Sequence, residues 1–190
     1  MQTTFRILLI LPWVMNQVAF TMLVKWLLNS DFGLVNALLG EMGIGKIDFL
    51  SSPQGAMASL IVANSWRMTG YSLIFSLAAL QTVPRELIEA AQVDGASILQ
   101  SVRRVVLPYL RPQILVILVL LTLRNFNILT PVMVLTGGGP GVATETLGLR
   151  MYREAFVNYA LDRSAAYAII ILLLNIVFTA IYARVIKEEH

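Results

Sequence analysis

Four long apolar stretches alternate with polar segments. They run roughly from Phe5 to Leu28, Gly55 to Leu80, Leu110 to Leu135 and Ser164 to Ala183. A helix that crosses a bilayer needs about 20 mostly apolar residues at about 1.5 Å each, so every stretch has the length of a span. The fourth is uncharged between Arg163 and Arg184, whereas the other three carry polar residues inside. The segments between them differ in texture. Asn29 to Gln54 holds Asp31-Phe32-Gly33, Gly40, Gly43, Gly45 and Pro53, which read as turns around a short apolar helix. Thr136 to Arg163 opens on Gly137-Gly138-Gly139-Pro140-Gly141, a tight turn, and continues into a surface helix over 145–159. No internal repeat is present.

Composition narrows the class. Hydrophobic residues make up 57% of the 190 residues, the mean hydropathy is +0.75, and charged residues are 13%. Ordinary soluble domains carry about 25% charged residues, and a disordered chain is far less apolar. The reading is an all-α polytopic membrane bundle with about four transmembrane helices. The first stretch exceeds the apolar core of a signal peptide and lacks a small-residue cleavage site, so it is retained as a helix. The absence of cysteine excludes a disulfide framework, a thiolate zinc site and a cysteine nucleophile. The one histidine, His190, reads as a solvated tail, and no Asp or Glu lies inside a predicted span. No catalytic constellation, metal site or cofactor is therefore expected. The net charge of +3 does not point to nucleic acid.

Charge sets the orientation. With four passes, both termini and the 81–109 loop share one side, which holds Arg6, Arg85, Arg103, Arg104, Arg111, Arg184 and Lys187. The other side holds Lys46, Arg150, Arg153 and Arg163. The excess places both termini and the 81–109 loop in the cytoplasm.

That loop reads as two short helices. Pro84 suits a first helical turn, where its missing N–H costs nothing, and Glu86 complements the helix dipole. Gly95 permits a sharp bend. Ser97 followed by Gln100 is a capping-box pattern that opens the second helix. There Ile98, Val102, Val105 and Val106 fall on one face, and Pro108 ends the run. Taken alone, this is an amphipathic linker on a membrane surface.

The spacing says more. Glu89-Ala90-Ala91, three residues, Gly95, nine residues, then Val105-x-Leu107-Pro108 resembles the EAA loop of ABC-importer permeases, with Val in place of Ile. Leu11-Pro12-Trp13, Asn36-Ala37-Leu38-Leu39-Gly40, Leu135-Thr136-Gly137-Gly138-Gly139-Pro140 and Thr144-Glu145-Thr146-Leu147 are similar to the carbohydrate-uptake branch, the maltose- and glycerol-phosphate-type permeases. The resemblance covers nearly the whole chain and implies one transmembrane permease domain over 1–190. Permeases of this kind usually have six membrane helices, so the resemblance implies a chain shortened by two at its N-terminus: a fragment, a misplaced start or a natural short form.

The resemblance further implies a bacterial or archaeal plasma membrane protein that moves a sugar or sugar-like solute. Its implied partners are a dimer of ATP-binding subunits, a second permease subunit in a heterodimer, an extracytoplasmic solute-binding protein and membrane lipid. Glu86, Glu89, Ala90, Ala91, Asp94 and Gly95 are the implied coupling residues. The chain lacks G-x4-G-K-[ST], so ATP hydrolysis belongs to a separate subunit and this chain is not an enzyme. A permease for another solute class, a channel-forming oligomer and a polytopic membrane enzyme are the alternatives.

Polar residues at mid-span are the remaining candidates: Asn64, Trp66 and Arg67 in the second stretch, Arg124, Asn125, Phe126 and Asn127 in the third. A charge at mid-bilayer costs about 2.5–3.5 kcal/mol on the lenient insertion scale and usually faces a bundle interior or water. These residues either line a translocation path or hydrogen-bond neighbouring helices. Trp66 and Phe126 offer faces for a sugar ring, and the arginines tolerate a phosphate or acid group. For Asn16, Gln17 and Asn175 packing is the expectation. Lys25 is expected to snorkel to an outer helix end, and Trp13 and Trp26 to anchor at the interfaces.

Overall fold

The computed structural model describes the backbone of residues 2–187 and the side chains of residues 6–185. His190 and the Lys187 side chain lie outside the described residues. The helices are α1 (Gln2–Val14), α2 (Gln17–Leu27), α3 (Leu34–Glu41), α4 (Pro53–Leu80), α5 (Arg85–Val93), α6 (Ile98–Ser101), α7 (Leu107–Tyr109), α8 (Arg111–Phe126), α9 (Thr130–Leu135), α10 (Leu147–Phe156) and α11 (Leu161–Lys187). A π-helical turn, Val102–Val106, joins α6 to α7. No strand occurs among the described residues.

The four apolar stretches take different forms. The first is bent by 115° between α1 and α2. Asn16 causes the break: it leaves helical geometry at φ −53° and ψ 134°, and its Oδ1 accepts from the N–H groups of Val18 and Ala19 at 2.9 and 3.3 Å. It is a helix N-cap, not the inter-helix packing group the sequence reading expects. In the third stretch α8 ends at Phe126 and α9 restarts with Pro131 in its first turn, where no N–H is needed. Among the described residues, Arg111–Leu135 and Leu161–Val185 are long and apolar enough to cross a membrane, and the bent α1–α2 pair makes a third if it counts as one span. At 28 residues α4 has ample length, about 42 Å at the α-helical rise. Asn64, Ser65, Arg67 and Thr69 make its middle polar.

Two clusters hold the bundle together. Phe20, Val24, Leu60, Ala63, Val132, Leu135 and Leu149 pack α2, α4, α9 and α10 into one core. Lys25 reaches the C-terminal end of α9 and donates to the Val134 carbonyl at 3.1 Å, where a cation complements the dipole. Ala79, Val83, Val106 and Leu110 form the second cluster, which joins the end of α4 to the 81–109 loop and the entry to α8. α1 crosses α4 at Gly70, where a Cβ would lie 2.5 Å from the Leu9 carbonyl oxygen. Trp13 packs edge-on against Tyr71 at that crossing, with ring centroids 6.1 Å apart, so it is a helix-packing residue and not a free interface anchor. Trp26 is exposed, as an anchor requires.

The extramembrane pieces are pinned by buried polar groups. Asn36 of α3 donates to the carbonyls of Asn29 and Ile47 at 3.1 and 2.9 Å and accepts from the Ile47 N–H at 2.9 Å, so one side chain closes the loop between α2 and α4. The helix expected on the surface over 145–159 is α10, and it is packed down. Leu149 and Glu154 are buried, and α10 lies along α11, where Ser164 Oγ donates to the Met151 carbonyl at 3.0 Å. Outward-facing Ile169, Leu172, Leu173 and Ile176 make the opposite side of α11 an apolar face suited to lipid.

Candidate functional site

The 81–109 loop projects as a helical hairpin. α5 ends in a Schellman arrangement: the Gly95 N–H donates to the Gln92 carbonyl and the Ala96 N–H to the Ala91 carbonyl, both at 3.0 Å. This puts Gly95 at φ +77°, a conformation that costs an L-residue about 1–2 kcal/mol. The expected capping box is present, with Gln100 accepting from the Ser97 N–H at 2.8 Å and the Ser97 hydroxyl accepting from the Gln100 N–H. Glu86, Glu89, Ala90, Asp94 and Gly95 are exposed, and Ala91 is buried against the chain's own hairpin. At the tip Val93, Ile98 and Leu99 are 87%, 83% and 77% exposed.

The second helix departs from its expected shape. Pro108 does not end it. The Leu107 N–H bonds back to the Val102 carbonyl, and this widened turn carries the helix past a residue that cannot donate. The widened turn also breaks the expected apolar face: Val106 is buried and Val105 half-buried, whereas Val102 and Ile98 are exposed.

The mid-span polar residues separate into three surroundings. A cleft of about 200 Å³ is lined by Gln17, Asn64, Arg67, Met68, Arg124, Asn127 and Ile128. The Arg124 guanidinium carbon stands 4.7 Å from the centroid of the buried Tyr71 ring, a cation–π arrangement. Asn125 accepts from Asn64 Nδ2 at 2.8 Å and donates to the Leu121 carbonyl at 2.8 Å, tying α4 to α8. Asn125 and Phe126 face a different cleft with Thr122, Phe178 and Tyr182, where Phe126 and Phe178 have centroids 5.3 Å apart. Trp66 lies edge-on to Phe20 and borders an apolar cavity of about 370 Å³ with Val24, Leu28 and Phe49. The two arginines thus share one cleft, and neither Trp66 nor Phe126 lines it. Gln17, expected only to pack, does line it, because the α1–α2 bend turns the start of α2 towards α4 and α8. Asn175 is buried and bonds the Ile171 carbonyl of its own helix.

A polar clasp closes the glycine-rich turn, a role the sequence alone did not mark. Arg153 donates to Glu145 at 2.5 Å and to the Gly137 carbonyl at 2.6 Å. Arg150 pairs with Glu154 at 3.1 Å and Glu145 at 3.6 Å. Its guanidinium is held above the usual arginine range by a hydrogen bond with Tyr167, then by Glu145 and Glu154. Thr144 Oγ donates to the Gly139 carbonyl at 2.8 Å, and Thr146 caps α10 while donating to the Ile128 carbonyl at 3.1 Å. The Thr144-to-Leu147 motif therefore fastens the loop to the end of the α8 region. Among the described residues, no His, Asp or Glu group is arranged to hold a metal ion.

Residues 1–188 match the family described as binding-protein-dependent transport system inner membrane component. The sulfoquinovosyl glycerol transport system permease SmoG of Agrobacterium fabrum is 32% identical over 189 residues, which are 100% of this chain and 61% of that protein. The sn-glycerol-3-phosphate transport system permease UgpA of Brucella abortus is 35% identical over 189 residues, 99% of this chain and 64% of that protein. The crystal structure of a bacterial ABC transporter involved in the import of the acidic polysaccharide alginate superposes with a TM-score of 0.84 at 25% identity, covering 98% of this chain and 65% of that one. The chain spans about three-fifths of the length of the curated relatives it matches. With a hairpin of EAA spacing and a polar cleft between helices, this chain belongs to the binding-protein-dependent transport system inner membrane component family.

Proposed function

We propose that the chain, as one permease domain over 1–190, forms part of the translocation path of an ATP-driven importer for a sugar or sugar-like solute. In this reading both termini and the 81–109 hairpin are cytoplasmic. The hairpin docks on an ATP-binding subunit, a second and different permease subunit completes the path, and an extracytoplasmic binding protein delivers the solute.

The observation that carries the reading is the hairpin itself. Its acidic residues Glu86, Glu89 and Asp94 are exposed beside a bare apolar tip of Val93, Ile98 and Leu99. Exposed apolar side chains in company with charges mark a partner surface. The root of the hairpin is continuous with the transmembrane helices, because Val83 and Val106 pack with Ala79 of α4 and Leu110 before α8. A displacement of the tip by ATPase closure therefore moves α4 and α8, which carry Asn64, Arg67, Arg124 and Asn127. Such motion is rigid-body gating at a bistable interface. The path residues are Asn64, Arg67, Arg124 and Asn127 in the cleft, with Asn125 as the bridge between helices and Trp66 and Phe126 in the neighbouring clefts.

The experiment is co-expression with the cognate ATPase, second permease and binding protein, followed by purification through a tag on this chain and by uptake into membrane vesicles. The expected result is an ATPase that copurifies and uptake that stops without ATP. Glu86→Lys with Glu89→Lys should release the ATPase while this chain stays in the membrane. Solute entry that is independent of ATP would overturn the reading in favour of a channel.

A further inference from the structure

We infer that the cleft between α2, α4 and α8 recognises an anionic group on the transported solute, a carboxylate, phosphate or sulfonate borne by a sugar-like molecule. The inference rests on the permease reading and names the solute class for its path.

The argument begins with charge. Arg67 and Arg124 line the same cleft of about 200 Å³. No Asp or Glu occurs in α1, α2, α4, α8 or α9, so the helices around the cleft contain nothing to neutralise either guanidinium. Among the described residues neither arginine has an ion-pair partner. Two like charges in a membrane bundle with no counter-ion repel each other and are costly.

The hydrogen-bonding pattern adds to this. Arg67 Nε is buried and has no hydrogen-bond partner. Arg124 is compensated on one side only: the Tyr71 ring covers a face of the guanidinium, and a cation–π contact leaves the in-plane N–H donors unused. A planar fork of donors matches a carboxylate or phosphate bidentately, and two such forks in one cleft match an oxyanion.

The rest of the lining suits the remainder of such a solute. Asn127 Nδ2 is committed to the Leu123 carbonyl at 2.8 Å and Asn64 Nδ2 to Asn125 at 2.8 Å, which leaves their amide oxygens to accept from hydroxyl groups. Gln17 offers another amide. The cleft is smaller than the about 300 Å³ at which drug-sized sites begin, so it holds one ring or head group at a time.

The test uses the whole importer, purified as a complex in nanodiscs, with three probes that share one ring: glucose, glucuronate and glucose 6-phosphate. Thermal stabilisation of the complex reads binding, and ATPase copurification is scored in parallel. Glucuronate or glucose 6-phosphate should raise the melting temperature, with glucose at least tenfold weaker. Arg67→Gln or Arg124→Gln should weaken the anion at least tenfold, and Arg67→Lys or Arg124→Lys should retain a preference for the charged probe. Equal binding of glucose and the two anions would overturn the anionic inference and leave the permease reading intact. So would a wild-type complex indifferent to anions that loses its second permease with Arg124→Gln and keeps it with Arg124→Lys, because the arginines would then pair with a carboxylate of that subunit. A chain that brings no ATPase would instead defeat the permease reading.

Discussion

Replacing Gly95 isolates the bend of the hairpin from everything else in the chain. Gly95 adopts φ +77°, and a Cβ built there meets nothing within 4 Å. A substitution therefore introduces backbone strain without a clash inside the chain. Alanine in this region loses about 1–2 kcal/mol, which lowers the ratio of bent to unbent hairpin by a factor of roughly 5–30. Valine is worse, since β-branched residues are true outliers at positive φ, whereas asparagine tolerates it. The expected order of ATP-dependent uptake is glycine, asparagine, alanine, valine. The amount of chain in the membrane should stay constant, because the second apolar cluster at Ala79, Val83, Val106 and Leu110 does not include the bend. ATPase copurification and vesicle uptake, measured across the four residues, provide the check. Wild-type uptake with Gly95→Val would refute the reasoning, and so would a loss with Gly95→Asn as deep as that with valine.

Three further outcomes follow from the geometry. A cysteine at Gln92 should react with a membrane-impermeant thiol reagent from the cytoplasmic side only, and one at Val142 from outside only; both positions are exposed and the native chain has no competing thiol. Gly70→Ala places a Cβ 2.5 Å from the Leu9 carbonyl oxygen and 3.1 Å from Trp13 Cβ, so α1 must move off α4. Overpacking of this kind costs about 1–3 kcal/mol, read as a lower melting temperature of the purified complex. Arg153→Gln removes the charged contacts to Glu145 and the Gly137 carbonyl. Hydrogen bonds to charged groups contribute about 1.5–3 kcal/mol each when well formed, so the 137–146 turn should become susceptible to protease added from outside. Unchanged protease resistance would show that the threonine contacts alone hold the turn.

The features legible in the amino-acid order are those encoded within a few residues. Apolar runs mark where helices lie, because burial in lipid needs only composition and length. Gly95 and the Ser97–Gln100 capping box were readable because each acts on its immediate backbone. Other features depend on register between distant segments. Asn16 is a residue that either packs or caps, and only the structure shows that it caps α2 at the 115° bend. The π-turn at 102–106 carried the helix past Pro108 and moved Ile98 to the exposed tip, which regular 3.6-residue spacing does not anticipate. Arg67 and Arg124, on different helices, share a cleft because Asn64 bonds Asn125 across 61 residues of sequence. Trp66 and Phe126, neighbours of those polar residues in sequence, turned to other faces because consecutive helical positions point about 100° apart. α10 went under cover because its Leu149 packs into the core formed by α2, α4 and α9 and its length lies along α11. Sequence adjacency thus placed the helices, and packing between them selected which polar side chains met.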